Sequence, residues 1–124
     1  MEVDLIKNLE YYKSDNSIPC TCEVCKIFYK NIKDKYPQIV SYLEKLNIDI
    51  LRPFELIWIE NEGDKTIEYV GCQYIVFGKC EETFTLNIND VVFENNLHFH
   101  PSTKHINGEH FVLDFGKIVL PDTL

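Results

Sequence analysis

The hydrophobic pattern of the chain changes period near residue 53, recurring every three or four positions before it and alternating after it. Val3, Ile6, Leu9 and Tyr12 stand at helical spacing, which predicts a short amphipathic helix over residues 3–13 with that stripe facing the core. The polar run Ser14-Asp15-Asn16-Ser17 and Pro19 mark a loop. Cys25, Phe28, Ile32 and Tyr36 predict a second helix over residues 22–36. Pro37 suits the first position of a third helix, whose buried stripe is Ile39, Val40, Leu43 and Leu46 and whose end is Asn47.

Beyond Arg52-Pro53 the pattern is that of strands. A strand over residues 54–59 turns at Asn61-Glu62-Gly63-Asp64 into a long return strand over residues 67–77, with Gly71 marking a bulge. Phe84, Leu86 and Ile88 alternate with Thr83, Thr85, Asn87 and Asn89, the signature of a strand with one buried face. A strand over residues 91–94 lies between the turn signals Asn89-Asp90 and Asn95-Asn96, and Leu97 and Phe99 alternate with His98 and His100. Asn107-Gly108 predicts a hairpin joining a segment around His105 to a strand over residues 110–115. Gly116 is expected to bend the last strand before residues 118–120. Helices first and hairpin-linked strands afterwards predict an α+β fold, with two or three N-terminal helices on an antiparallel meander of about five to seven strands. A length of 124 residues fits a single domain over residues 1–124, with a helical part (1–50) and a sheet (54–120).

The net charge of −8 is unevenly placed. Residues 1–53 carry 8 basic and 8 acidic side chains, whereas residues 54–124 carry 4 and 12, so the sheet half holds the whole excess. Arg52 is the single arginine, and a chain with so few guanidinium forks and an acidic balance is a poor match for nucleic acid or for anionic membrane surfaces. An acidic strand surface reads either as a device for solubility or as a face that steers a basic protein partner toward it. The first residues lack the basic and apolar segments of a secretory signal, and no apolar run is long enough for a membrane helix, so a cytoplasmic location is expected.

The one local pattern with chemical content is Pro19-Cys20-Thr21-Cys22-Glu23-Val24-Cys25. Cys22 and Cys25 have the C-x-x-C spacing that turns two sulfurs toward one ion, and Cys20 can supply a third from the preceding turn. Soft thiolates select zinc, copper(I) or iron–sulfur clusters, and Zn2+ is the cofactor this pattern points to. Lys26 and Lys30 add positive charge beside the thiols. The fourth ligand is not local; Cys72, Cys80, His98 and His100 are the candidates. Against the metal reading stands the plainer one, in which reduced cysteines pack as small hydrophobes. Thioredoxin-like redox chemistry wants a strand leading into the C-x-x-C helix, where this chain has a loop and a proline. His98 and His100, sharing a strand face, could with His110 and Glu109 form an open metal site, yet exposed strand histidines are the commoner case. No G-x-S-x-G elbow or glycine-rich phosphate loop is present, so no catalytic residue is predicted.

Pro19-Cys20-x-Cys22-x-x-Cys25, Tyr36-Pro37 with Tyr42-Leu43, and Ile48-Asp49-Ile50-x-Arg52-Pro53-x-Glu55-Leu56 together resemble a family of small proteins of low-GC Gram-positive bacteria. The resemblance covers residues 19–80 and implies no activity. The expected function is a non-catalytic, protein-binding role of immunity, antitoxin or regulatory type, with a zinc knuckle as scaffold. The alternative is a metal- or thiol-dependent enzyme or sensor using the cysteine cluster or the His98, His100 and His110 face.

Overall fold

The computed structural model describes residues 1–96, 103 and 105–123. It is an α+β fold with N-terminal helices before the main sheet: strand β1 (Glu2–Val3), helices α1 (Leu5–Lys13), α2 (Glu23–Lys35) and α3 (Pro37–Lys45), then strands β2 (Glu55–Asn61), β3 (Thr66–Lys79), β4 (Thr85–Ile88), β5 (Val91–Asn96), β6 (His110–Gly116) and β7 (Ile118–Pro121). All pairings among the described residues are antiparallel.

β3 organises the sheet because it is long enough to be shared along both edges. β2 and β1 run in succession along one edge, and β7 and β6 along the other. β5 then pairs β6, and β4 closes the far side. The chain therefore leaves β3 for the outermost position and returns inward strand by strand, a step that period-two patterning does not specify.

The long strand keeps one face on the core through a break in its alternation. Ile67 and Tyr69 are buried there, and so are Cys72, Tyr74 and Val76, which have the opposite parity. The register shift opposite Ile57 and Trp58 leaves Val70 as the additional residue and restores the inward face. The sequence placed this bulge one residue away, at Gly71. On the other edge the break between β6 and β7 faces the same point. A Cβ on Gly116 would lie 2.5 Å from the Val70 carbonyl oxygen, so only glycine lets the two backbones pass.

Helices of nine to thirteen residues are marginal alone and are held here by their packing. Phe28 and Ile32 of α2 and Ile39 and Leu43 of α3 join Tyr69, Tyr74, Leu113, Phe115, Ile118 and Leu120 of the sheet in one core. The Tyr74 ring stacks on Phe115 at 5.5 Å, and Phe93 meets Phe115 at 4.7 Å. Among the described residues the opposite face of the sheet carries a small cluster of Ile75, Phe77 and Val112, against which Tyr11, Phe54 and Ile106 pack.

Three expectations change. Residues 2–3 are a strand, because Glu2 and Val3 pair with Lys79 and Gly78, and Asp4 N–H donates to the Phe77 carbonyl at 2.8 Å. Asp4 then caps α1 by accepting from Lys7 N–H. That anchorage fixes which side of α1 turns inward: Asn8 and Tyr12 are buried, while Ile6 is 70% and Leu9 43% exposed. Of the predicted stripe, Tyr12 is buried and Val3 packs against the core, whereas Ile6 and Leu9 face solvent. Of the hairpin predicted at Asn107-Gly108, only the second arm, β6, is a strand among the described residues; His105 lies in a turn. β3 pairs one edge of β6 from His110 to Phe115, and β5 pairs the other from Val112 to Gly116.

Candidate metal centre

Helix α2 begins at the cysteines. Cys22 is its N-cap residue in an extended conformation, and Cys25 is the third helical residue. These are the positions that face each other across the first turn in a capping box, so the C-x-x-C spacing brings the two sulfurs together for the same reason that S-x-x-E does. Cys20 lies just before the turn, and its Sγ accepts from the Cys22 N–H at 3.4 Å. The three Sγ atoms lie within 4.8 Å of one another. Three cysteines this close together can hold a metal ion. Cys20 and Cys22 are exposed and Cys25 is buried.

Two tyrosines hold the turn in place. Tyr69 on β3 donates its hydroxyl to the Val24 carbonyl at 2.7 Å, and Tyr29 on α2 donates to the Cys20 carbonyl at 2.8 Å. Arg52 secures the preceding segment, with Nη1 donating to the Ser14 carbonyl and to Ser17 Oγ at 3.0 Å. Local electrostatics separate the thiols. Burial acts on Cys22 in the raising direction, yet hydrogen bonds from the Cys25 N–H, from the Cys25 and Cys20 thiols and from the Val24 N–H outweigh it and lower its pKa. Cys25 is pushed up, first by burial and then by the hydrogen bonds and charge of its two neighbours.

Among the described residues no fourth side chain joins the cluster, and the two cysteine candidates lie apart from it. Cys72 is fully enclosed in the core on the inward face of β3, where burial and the Asp114 charge raise its thiol pKa. Cys80 Sγ donates to the Glu82 carbonyl at 3.4 Å. His98 and His100 lie outside the described residues. His110 directs Nδ1 to the Gly108 carbonyl at 2.7 Å, its ring lies 5.9 Å from that of Phe77, and Glu109 pairs with Lys79. The tyrosine hydroxyls that fasten the cysteine turn escaped sequence reasoning, because a tyrosine at an apolar position gives no sign of the carbonyl its hydroxyl will reach.

No helix among the described residues is long and apolar enough to cross a membrane. Comparison with protein-family models, with curated proteins and with solved structures gives no match to this chain.

Proposed function

We propose that this chain is a non-catalytic protein-binding domain, of immunity, antitoxin or regulatory type, that meets a basic partner with the outer face of its sheet. The observation that carries the reading is the unequal covering of the two sheet faces. The helices α2 and α3 bury the inner face, and neither contributes to the small outer cluster. Glu55, Glu68, Glu94 and Asp114 stand on the outer side, the side that the register assigns to Gln73 and Ile75. An acidic face of this kind accelerates encounter with a basic surface and rejects acidic ones.

In this reading Cys20, Cys22 and Cys25 form a zinc knuckle that fixes the connection between α1 and α2, with the fourth position filled by a ligand from outside the cluster. Reduced thiols suit a cytoplasmic setting. Exposure of Cys20 and Cys22 also favours a second reading, a thiol sensor. Metal content and thiol count on one chelator-free sample separate the two. About one zinc per chain with three protected thiols supports the knuckle. No metal, with one cysteine alkylating far faster than the rest, supports the sensor.

The binding role is tested by cross-linking the tagged protein in its own cells, identifying the captured partner, and rebuilding the pair from purified components. A basic partner whose association rate falls steeply between about 50 and 300 mM salt is the expected result. A purified pair that does not reassociate, or that associates at a rate indifferent to salt, overturns the reading.

A further inference from the structure

One row of side chains crosses the outer face from edge to edge. Glu55 on β2 is in register with Gln73 on β3, Gln73 with Asp114 on β6, Asp114 with Glu94 on β5, and Glu94 with Thr85 on β4. Successive members are about 5 Å apart along the hydrogen-bonding direction, so three carboxylates are spread along about 15 Å. Gln73 sits between two of them and is only 6% exposed. Its Nε2 donates to Asp114 Oδ2 at 3.2 Å, while its Oε1 is enclosed and accepts no hydrogen bond. A buried carbonyl without a donor is costly, and this one stands between the carboxylate-bearing residues Glu55 and Asp114.

Apolar surface adjoins the row. Ile57, 44% exposed, follows Glu55 on the same face of β2, and its side chain and Asp114 Oδ1 both reach over Gly71. Val92, 41% exposed, holds the corresponding place beside Glu94 on β5. The carboxylates do not gather closely enough to form a compact ion-binding group. A cation that serves separated acceptors must itself be extended, planar and rich in donors, with an apolar stem. Among side chains that description fits arginine, whose guanidinium carries five N–H donors, better than lysine.

We infer that the Glu55–Gln73–Asp114–Glu94 row is an arginine-reading site, in which a guanidinium from a basic protein partner bridges the carboxylates and supplies the donor that Gln73 Oε1 lacks, while Ile57 and Val92 flank its aliphatic stem. The inference rests on the protein-binding reading above and names the contact through which it works. Gln73 Oε1 is reached as the part-exposed Asp114 and exposed Glu55 side chains part around the incoming group.

The test is a titration of the 15N-labelled chain with three blocked tripeptides, Val-Arg-Val, Val-Lys-Val and Val-norleucine-Val, followed by amide shifts. Arginine peptide is expected to move Gly71, the Gln73 backbone and side-chain amides, Asp114 and Gly116, and to bind about tenfold more tightly than the norleucine peptide. Asp114→Asn should weaken it by about fivefold or more; Glu94→Gln, at an exposed position, is the companion variant should Asp114→Asn fail to fold. Equal binding of arginine and norleucine peptides, shifts confined to another surface, or unchanged affinity in a folded variant overturns the site. If the purified partner binds while the arginine peptide leaves this row unmoved, the row is wrong and the protein-binding role stands. If neither binds, both fall.

Discussion

Asn8 shows most clearly how a polar residue can be worth more to this fold than the apolar ones around it. It is fully buried, donates from Nδ2 to the Leu46 carbonyl at 2.9 Å and accepts from the Phe77 N–H at 2.7 Å, tying α1 to the end of α3 and to β3. Replacing it with alanine removes the partner of the buried Phe77 N–H and of the part-buried Leu46 carbonyl, so Asn8→Ala should lower stability by about 2–3 kcal/mol in urea unfolding. Ile6→Ser, on the exposed side of the same helix, should change it by less than about 0.5 kcal/mol. Asp114 makes a second prediction at this scale. Burial is the main cause that raises its pKa, the Gln73 hydrogen bond opposes it, Glu94 adds to it, a backbone hydrogen bond at Cys72 opposes it, and Glu55 adds to it. A carboxyl with a raised folded-state pKa favours folding in its protonated form. Its contribution is therefore full below the ordinary carboxylate range and is lost as pH rises through the raised value. Asp114→Asn should remove that loss, so unfolding midpoints of variant and parent should converge at acid pH and diverge in the variant's favour toward neutrality.

At the scale of elements, the helices and the sheet are joined by more than apolar packing. Tyr12, Tyr69 and Tyr74 donate their hydroxyls to the carbonyls of Ile75, Val24 and Ile50, each at 2.7 Å, and Tyr36 accepts from the Val119 N–H at 3.0 Å. Each such bond contributes about 1 kcal/mol and, being directional, fixes where a helix, or for Ile50 the turn after α3, sits against its strand. The junction of β6 and β7 is the other point where an element depends on one atom. Gly116→Ala must push the Val70 carbonyl away from the bulge that keeps both halves of β3 facing the core. A loss of about 1–3 kcal/mol in the denaturation midpoint is expected, whereas Gly63→Ala, with open space around it, should be nearly neutral.

For the whole molecule, the cysteine turn and the acidic face lie on separate parts of the fold and should act independently. Zinc added to metal-free protein at about one hundred times its dissociation constant should stabilise it by about 2.7 kcal/mol and raise Tm, an effect reversed by chelator. Cys22→Ser should abolish that rise without altering arginine-peptide binding. A Tm indifferent to zinc would remove the knuckle and leave the acidic row untouched.

The local features of this protein were legible in the sequence. Pro37 at the head of α3, Asn47 with its positive φ after it, the one-sided strand at residues 85–88 and the convergence of Cys22 with Cys25 all depend on neighbours within one turn or one strand. Near neighbours in sequence are bound by covalent geometry, so their spacing decides the result. The inward turn of Asn8, the outward turn of Ile6, the placing of β4 at the far edge and the row from Glu55 to Glu94 depend on residues up to about seventy positions apart. Apolar periodicity records that a face should be buried and says nothing of which distant backbone will need a donor or acceptor there. Only the closed tertiary structure, in which buried polar groups must find partners, decided those positions.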